Sequence, residues 1–144
     1  MILTLIHWAC RLFLTAVFLY SGIVKLQQPL QFAVALAGYQ LLPEQFILPI
    51  SNLFPWVEVL LGVTILTGWK IRYSATFATG LLLFFSLLLT ITYLRGIDAN
   101  CGCFSFDDPI SPMTIIRDGL IVIPAIFLMA ENRIRKLCTK GSPS

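Results

Sequence analysis

The stretch ATFATGLLLFFSLLLTITYL, Ala75 to Leu94, contains no charged residue. A helix needs about twenty predominantly apolar residues to cross a hydrocarbon core about 30 Å thick, and this run supplies them without interruption. It reads as a transmembrane helix, and the rest of the chain agrees. Hydrophobic residues make up 58% of the 144 and charged residues 12%, against about 25% charged in soluble domains. With a mean hydropathy of +0.87, too little polar surface remains to cover a water-soluble globule. Residues 1–144 therefore read as one integral membrane domain.

Working outward, three more windows approach the spanning length: Trp8 to Leu26, Asn52 to Trp69 and Ser111 to Ala130. Pro55 lies near the start of the second window, where a missing backbone N–H costs little. Ser111 and Pro112 read as the N-cap and first residue of the last window, and Pro124 as a kink within it. Pro29 to Gln40 is helix-compatible and apolar but too short to span, and Pro43 stops it. It reads as an interfacial or re-entrant helix between helices 1 and 2. The expected fold is an all-α bundle of four transmembrane helices.

Ten Lys and Arg give a net charge of +3, but in a membrane chain these residues are topology signals rather than a nucleic-acid footprint. Lys70 and Arg72 share a side with Arg133, Arg135, Lys136 and Lys140 of the tail 131–144, while Lys25, Arg95 and Arg117 lie on the other. The positive-inside rule then makes both termini cytoplasmic and the loop 95–110 periplasmic. Met1 to Ala9 carries no Lys or Arg, so it lacks the basic region of a cleaved signal peptide.

The loop contains Cys101-Gly102-Cys103. Outside the cytoplasm cysteines tend to be oxidised. Two cysteines flanking one glycine can close a disulfide only through a tight bend. So small a ring restrains few unfolded conformations, so it makes a poor staple and a labile, exchangeable bond. That pattern points to a redox pair; a pair of inert thiols and a soft-metal site are the alternatives. Zinc would need two more ligands, yet His7, Cys10 and Cys138 all fall at the opposite face. A calcium loop from Asp98 would need a bidentate acid at Pro109.

Ionisable residues gather near the same ends of the helices: Lys25, Glu58, Arg95, Arg117 and Asp118. Charges in a membrane are costly and either pair or face a wet cavity. In one reading Lys25, Arg95 and Arg117 stabilise a thiolate at Cys101 or Cys103, with Glu58 or Asp118 balancing charge or passing a proton. In the other, Lys25 and Glu58 form a structural pair and the arginines snorkel to headgroups. At the far end His7 and Arg11 share a helix face. A single His leaves no Ser-His-Asp or Cys-His set at the loop, which excludes the hydrolase readings.

Taken together, Arg11, Ser21-Gly22 with Lys25 and Pro29, Tyr39 to Pro43, Pro55-Trp56-Val57-Glu58 with Gly62, and Cys101-Gly102-Cys103-Phe104 resemble the MauE (methylamine utilisation) family of the DoxX-like membrane proteins. The resemblance implies a four-helix protein of the bacterial inner membrane that handles periplasmic thiols with a thioredoxin-like partner and supports maturation of a disulfide-rich dehydrogenase. It assigns the redox role to Cys101 and Cys103 and the intramembrane charges to Lys25 and Glu58. Ser105 and Asp118 stand where the family commonly has Gly and Asn. The expected function is thus exchange of a Cys101/Cys103 disulfide with a thioredoxin-like protein, with Cys103 resolving. A quinone is the candidate cofactor, and no resident metal is expected. A soft-metal transporter and a non-catalytic assembly factor are the competing classes.

Overall fold

The computed structural model describes residues 1–101, 107 and 109–140, and the side chains of all of these except 132 and 135–140. They form five helices: α1 (Ile2–Gln27), α2 (Pro29–Gly38), α3 (Glu44–Thr67), α4 (Ile71–Leu94) and α5 (Pro112–Lys140). Four are long and apolar enough to cross a membrane: α1, α3, α4 and Pro112–Glu131 of α5. The only β pairing among the described residues is an isolated bridge between Asn100 and Pro109, with the Ile110 amide donating to the Ala99 carbonyl at 3.0 Å. The chain is an all-helical membrane bundle.

The helices overrun the apolar windows. α1 begins at Ile2 rather than Trp8, and α4 at Ile71 rather than Ala75. Residues 131–140, expected as a tail, continue α5. Apolar windows measure hydrocarbon thickness, whereas a helix ends where its backbone finds a cap, so the two boundaries need not coincide. The largest correction is in α3, which starts at Glu44 rather than Asn52 and carries both Pro49 and Pro55 inside it. Neighbouring helices and hydroxyl side chains satisfy the backbone that proline leaves unpaired in a membrane helix. Two residues after Pro49, Ser51 Oγ donates to the Leu48 carbonyl at 2.9 Å. With the true start at Glu44, Glu58 and Trp56 lie deep in the helix; at 1.5 Å per residue Glu58 is about 21 Å along it.

The short helix appears where Pro29 to Gln40 was expected, ending at Gly38 with Gln40 in the left-handed region (φ 52). α1 packs most extensively on α3, and α4 on α5, so the bundle is two helix pairs with a seam between them. Lipid tails are as apolar as leucine, so close backbone approach, rather than burial, drives such pairing. The α1–α3 contact shows it. A Cβ on Gly22 would sit 2.6 Å from Val59 Cγ2 and 3.1 Å from the Pro55 carbonyl, and one on Gly62 would sit 2.9 Å from Leu19.

Two apolar cores result. One, at the loop end, contains Phe32, Leu36, Tyr39, Leu89, Ala99 and Cys101. The other, towards the opposite end, contains Leu14, Phe18, Leu61, Ile65, Ala125 and Leu128. Between them each long helix contributes polar residues: Ser21 and Lys25 from α1, Glu58 from α3, Ser86 from α4 and Asp118 from α5.

Candidate functional site

Lys25 is 1% exposed and Glu58 5%. Lys25 Nζ donates to both carboxylate oxygens of Glu58, at 2.8 and 2.9 Å, and to Ser21 Oγ at 3.0 Å. Ser21 Oγ in turn donates to Glu58 Oε1 at 3.4 Å. Three ring faces surround the ammonium, with the centroids of Phe32, Phe54 and Phe85 at 5.0, 5.3 and 5.2 Å. Each face presents the negative part of its quadrupole to the cation. Desolvation of a buried pair can outweigh its Coulomb attraction unless further hydrogen bonds and charges complete it. Here the serine and the aromatic cage complete it, which is how a lysine persists at this depth.

The second cluster lies where the loop meets α5. Cys101 is 1% exposed and Asp118 6%. Arg117 Nη2 lies 3.9 Å from Cys101 Sγ, and Cys101 Sγ lies 3.9 Å from Asp118 Oδ2. Arg117 Nε is 3.4 Å from Asp118 Oδ1. The sulfur therefore sits between a cation and a carboxylate. The loop is fastened from two sides: the Tyr39 hydroxyl donates to the Cys101 carbonyl, and Ser111 Oγ accepts from the Thr114 amide at 3.3 Å, capping α5. Ser111 is thus the N-cap its sequence position implied.

The structure brings Lys25 to Glu58, and Arg117 and Asp118 to Cys101. Arg95 stands exposed at the end of α4, away from both clusters. Cys103 lies outside the described residues, as does the side chain of Cys138; Cys10 is half-buried in α1. Among the described residues no three His, Cys, Asp or Glu side chains gather as metal ligands would.

Other partners were not legible in advance. Arg11, on the helix face it shares with His7, donates from Nε to the Ile65 carbonyl and from Nη2 to the Leu66 carbonyl, both at 2.7 Å, and stacks on Trp8. It caps the C-terminus of α3 beside Gly68 (φ 75), where a Cβ would lie 2.5 Å from Arg11 Nη2. His7 Nδ1 meets Glu131 Oε2 at 2.6 Å, joining α1 to α5 at that end. Ser21 could have been found, since four residues before Lys25 puts it on the same helix face. The cage phenylalanines come from three helices, and nothing local marks them.

A cavity of about 320 Å³ between α2, α3 and α4 is walled by Phe32, Tyr39, Phe54, Phe84 and Phe85 among other apolar residues. A quinone ring needs donors for its carbonyl oxygens. The one polar side chain here, Tyr39, already donates to Cys101. The lining does not fit a quinone head.

Four membrane-length helices, a buried ion pair between α1 and α3, and a buried Cys101 beside Arg117 and Asp118 define a small multi-pass membrane protein. The family model described as methylamine utilisation protein MauE matches residues 3–131, and the chain belongs to that MauE family. Methylamine utilization protein MauE of Paracoccus denitrificans is 28% identical over 127 residues, covering 86% of this chain and 67% of that protein. The protein of the same name from Methylophilus methylotrophus is 30% identical over 93 residues, covering 64% and 49%. That from Paracoccus versutus is 31% identical over 101 residues, covering 69% and 54%. The chain spans from about half to two thirds of the length of these relatives. No solved structure matches it.

Proposed function

We propose that this protein exchanges a Cys101/Cys103 disulfide with a thioredoxin-like partner at the outer face of a bacterial inner membrane, in support of methylamine utilisation and the maturation of disulfide-bonded periplasmic proteins. The observation that carries the reading is the seat of Cys101, with a guanidinium on one side of the sulfur and a carboxylate on the other. A cation beside sulfur stabilises the thiolate, which is the attacking species. A carboxylate within reach accepts the departing proton. The family's name and the excess of Lys and Arg on the terminal side support the setting, with both termini in the cytoplasm and α2 lying with the loop on the outer side.

Because the Cys101 sulfur is buried, we assign the first encounter with the partner to Cys103 and the resolving step to Cys101, the reverse of the order expected from sequence. The Cys103 thiolate attacks one sulfur of the partner's disulfide. That bond breaks, a mixed disulfide forms, and the partner's other sulfur leaves as a thiolate. The Cys101 thiolate then attacks Cys103 sulfur, closing the Cys101–Cys103 bond and releasing the partner's second thiolate. Two electrons pass from this chain to the partner, and in the reverse direction two return. The exchange needs no quinone.

The test is whether the two thiols form one reversible pair. In a Cys10→Ser/Cys138→Ser background, protein oxidised and then acid-quenched should take up no alkylating reagent, and after treatment with a reduced thioredoxin-fold protein two equivalents. Uptake of two equivalents after oxidation, or none after that treatment, contradicts the proposal.

A further inference from the structure

The polar layer between the two cores encloses a cavity of about 40 Å³, bounded by Ser21, Lys25, Glu58, Ser86 and Asp118 with apolar walls from the neighbouring turns. The Ser86 hydroxyl is buried and has no hydrogen-bond partner among the described residues. A buried hydroxyl left unpaired is costly, so it calls for a partner. A water needs about 10–15 Å³ of such space and two to four polar partners, and this cavity offers both. It lies at the seam between the α1–α3 and α4–α5 pairs, and its polar lining comes from all four long helices.

We infer that this cavity is a water site and that it connects the proton of Cys101 to Glu58. The inference rests on the proposed redox role of Cys101. Cys101 is buried, so a proton leaving its sulfur has no direct route to bulk solvent. Asp118 is 3.9 Å from that sulfur and also lines the cavity. The Cys101 S–H bond breaks and the proton goes to an Asp118 oxygen. Asp118 gives a proton to the bridging water, and the water gives one of its own to a Glu58 oxygen. The thiolate left behind faces Arg117, and the neutral Glu58 stays beside Lys25. Lys25 and Arg117 offset Glu58 and Asp118 at the outset. After transfer the thiolate takes the place of the Glu58 charge, so the layer stays neutral through the proton transfer; when the disulfide closes, that negative charge leaves on the partner's thiolate while the proton stays on Glu58. Reduction of the disulfide runs the path backwards. Ser86 is a positioning residue here: it holds the water and exchanges no proton with sulfur.

The test is an infrared difference spectrum, oxidised against reduced, of the full chain in lipid nanodiscs. The S–H stretch reports formation of the thiols. A carboxylic C=O band reports protonation of Glu58 or Asp118, and an O–H band that shifts in heavy-oxygen water reports the bridging water. All three should appear in the parent protein and in Ser86→Thr. Ser86→Val, of the same volume as Thr but without a hydroxyl, should lose the water band and the carboxylic band while keeping the S–H change. An S–H change without any water band, or bands that survive in Ser86→Val, overturns the relay and leaves the exchange reading standing. Absence of the S–H change overturns both.

Discussion

A lysine in a cage of three phenylalanines, bonded to a glutamate, commits the protein to a charge it cannot easily lose. Lys25→Met or Glu58→Gln alone strands the other partner, costing roughly 3–5 kcal/mol at a dry site. Replacing both with methionine should recover most of that, because a buried pair and an apolar pair of similar volume are close in energy. The exchange Lys25→Glu with Glu58→Lys should recover less. It places a carboxylate among the faces of Phe32, Phe54 and Phe85, whose quadrupoles favour only a cation. Thermal unfolding of the four variants in detergent checks the ranking. A swap that restores stability as fully as the double methionine removes the aromatic cage from the account. Arg11 makes a second residue-scale case. Arg11→Ala should cost roughly 1.5–3 kcal/mol for bonds between a charged donor and carbonyls. Arg11→Lys should recover little, since a point charge cannot serve the Ile65 and Leu66 carbonyls as a planar fork does.

At the scale of elements, the α1–α3 pair depends on Gly22 and Gly62 letting two backbones approach. Gly22→Ala drives a methyl against Val59 and the Pro55 carbonyl, and overpacking of this kind costs typically 1–3 kcal/mol. Gly80, in α4, is the control: a Cβ there meets nothing within 4 Å. Gly80→Ala should be neutral or stabilise by up to about 1 kcal/mol, since alanine holds a helix better than glycine. Unfolding midpoints measured side by side separate the two. Equal losses at both positions would place the cost in general helix packing rather than at the α1–α3 contact. The number and kind of elements were legible from sequence because a charge-free run such as Ala75 to Leu94 admits one structure in lipid. The start of α3 was not. Pro55 reads as lying near the start of its window, yet it and Pro49 are both interior to α3, where neighbouring helices satisfy the backbone. That misreading moved Glu58 towards a helix end, whereas it lies well inside α3, where Lys25 from the last turn of α1 reaches it. Depth is a property of packed pairs, and a single helix does not encode it.

For the whole molecule, the candidate site divides into what single residues announce and what only assembly creates. Charges in an apolar chain announce themselves, so Lys25, Glu58, Arg117 and Asp118 stand out in the sequence, as does the Cys-Gly-Cys turn. Arg95 stood out by the same rule and ends exposed, because the rule marks cost and not location. The neighbourhood of Cys101, built from Tyr39, Arg117 and Asp118, and the cavity at Ser86, lined by four helices, exist only once the chain is assembled. Orientation is likewise a whole-chain property. With both termini cytoplasmic, an impermeant maleimide given to intact, mildly reduced cells should label the loop and spare Cys138. Labelling of Cys138 alone would invert the molecule and remove the oxidising compartment from the account.

The central claim is that this loop exchanges disulfides with a protein partner, and covalent capture tests it most directly. In a Cys10→Ser/Cys138→Ser background, Cys101→Ser leaves Cys103 to attack while removing the thiol that resolves. Cells expressing this variant should accumulate a band of higher mass that reductant collapses and mass spectrometry resolves into this chain and a thioredoxin-fold protein, joined through Cys103. Cys103→Ser should give little of it, and Cys101→Ser with Cys103→Ser none. If neither single variant traps a partner under oxidising conditions and the double variant supports growth on methylamine as well as the parent, the loop is not a redox centre.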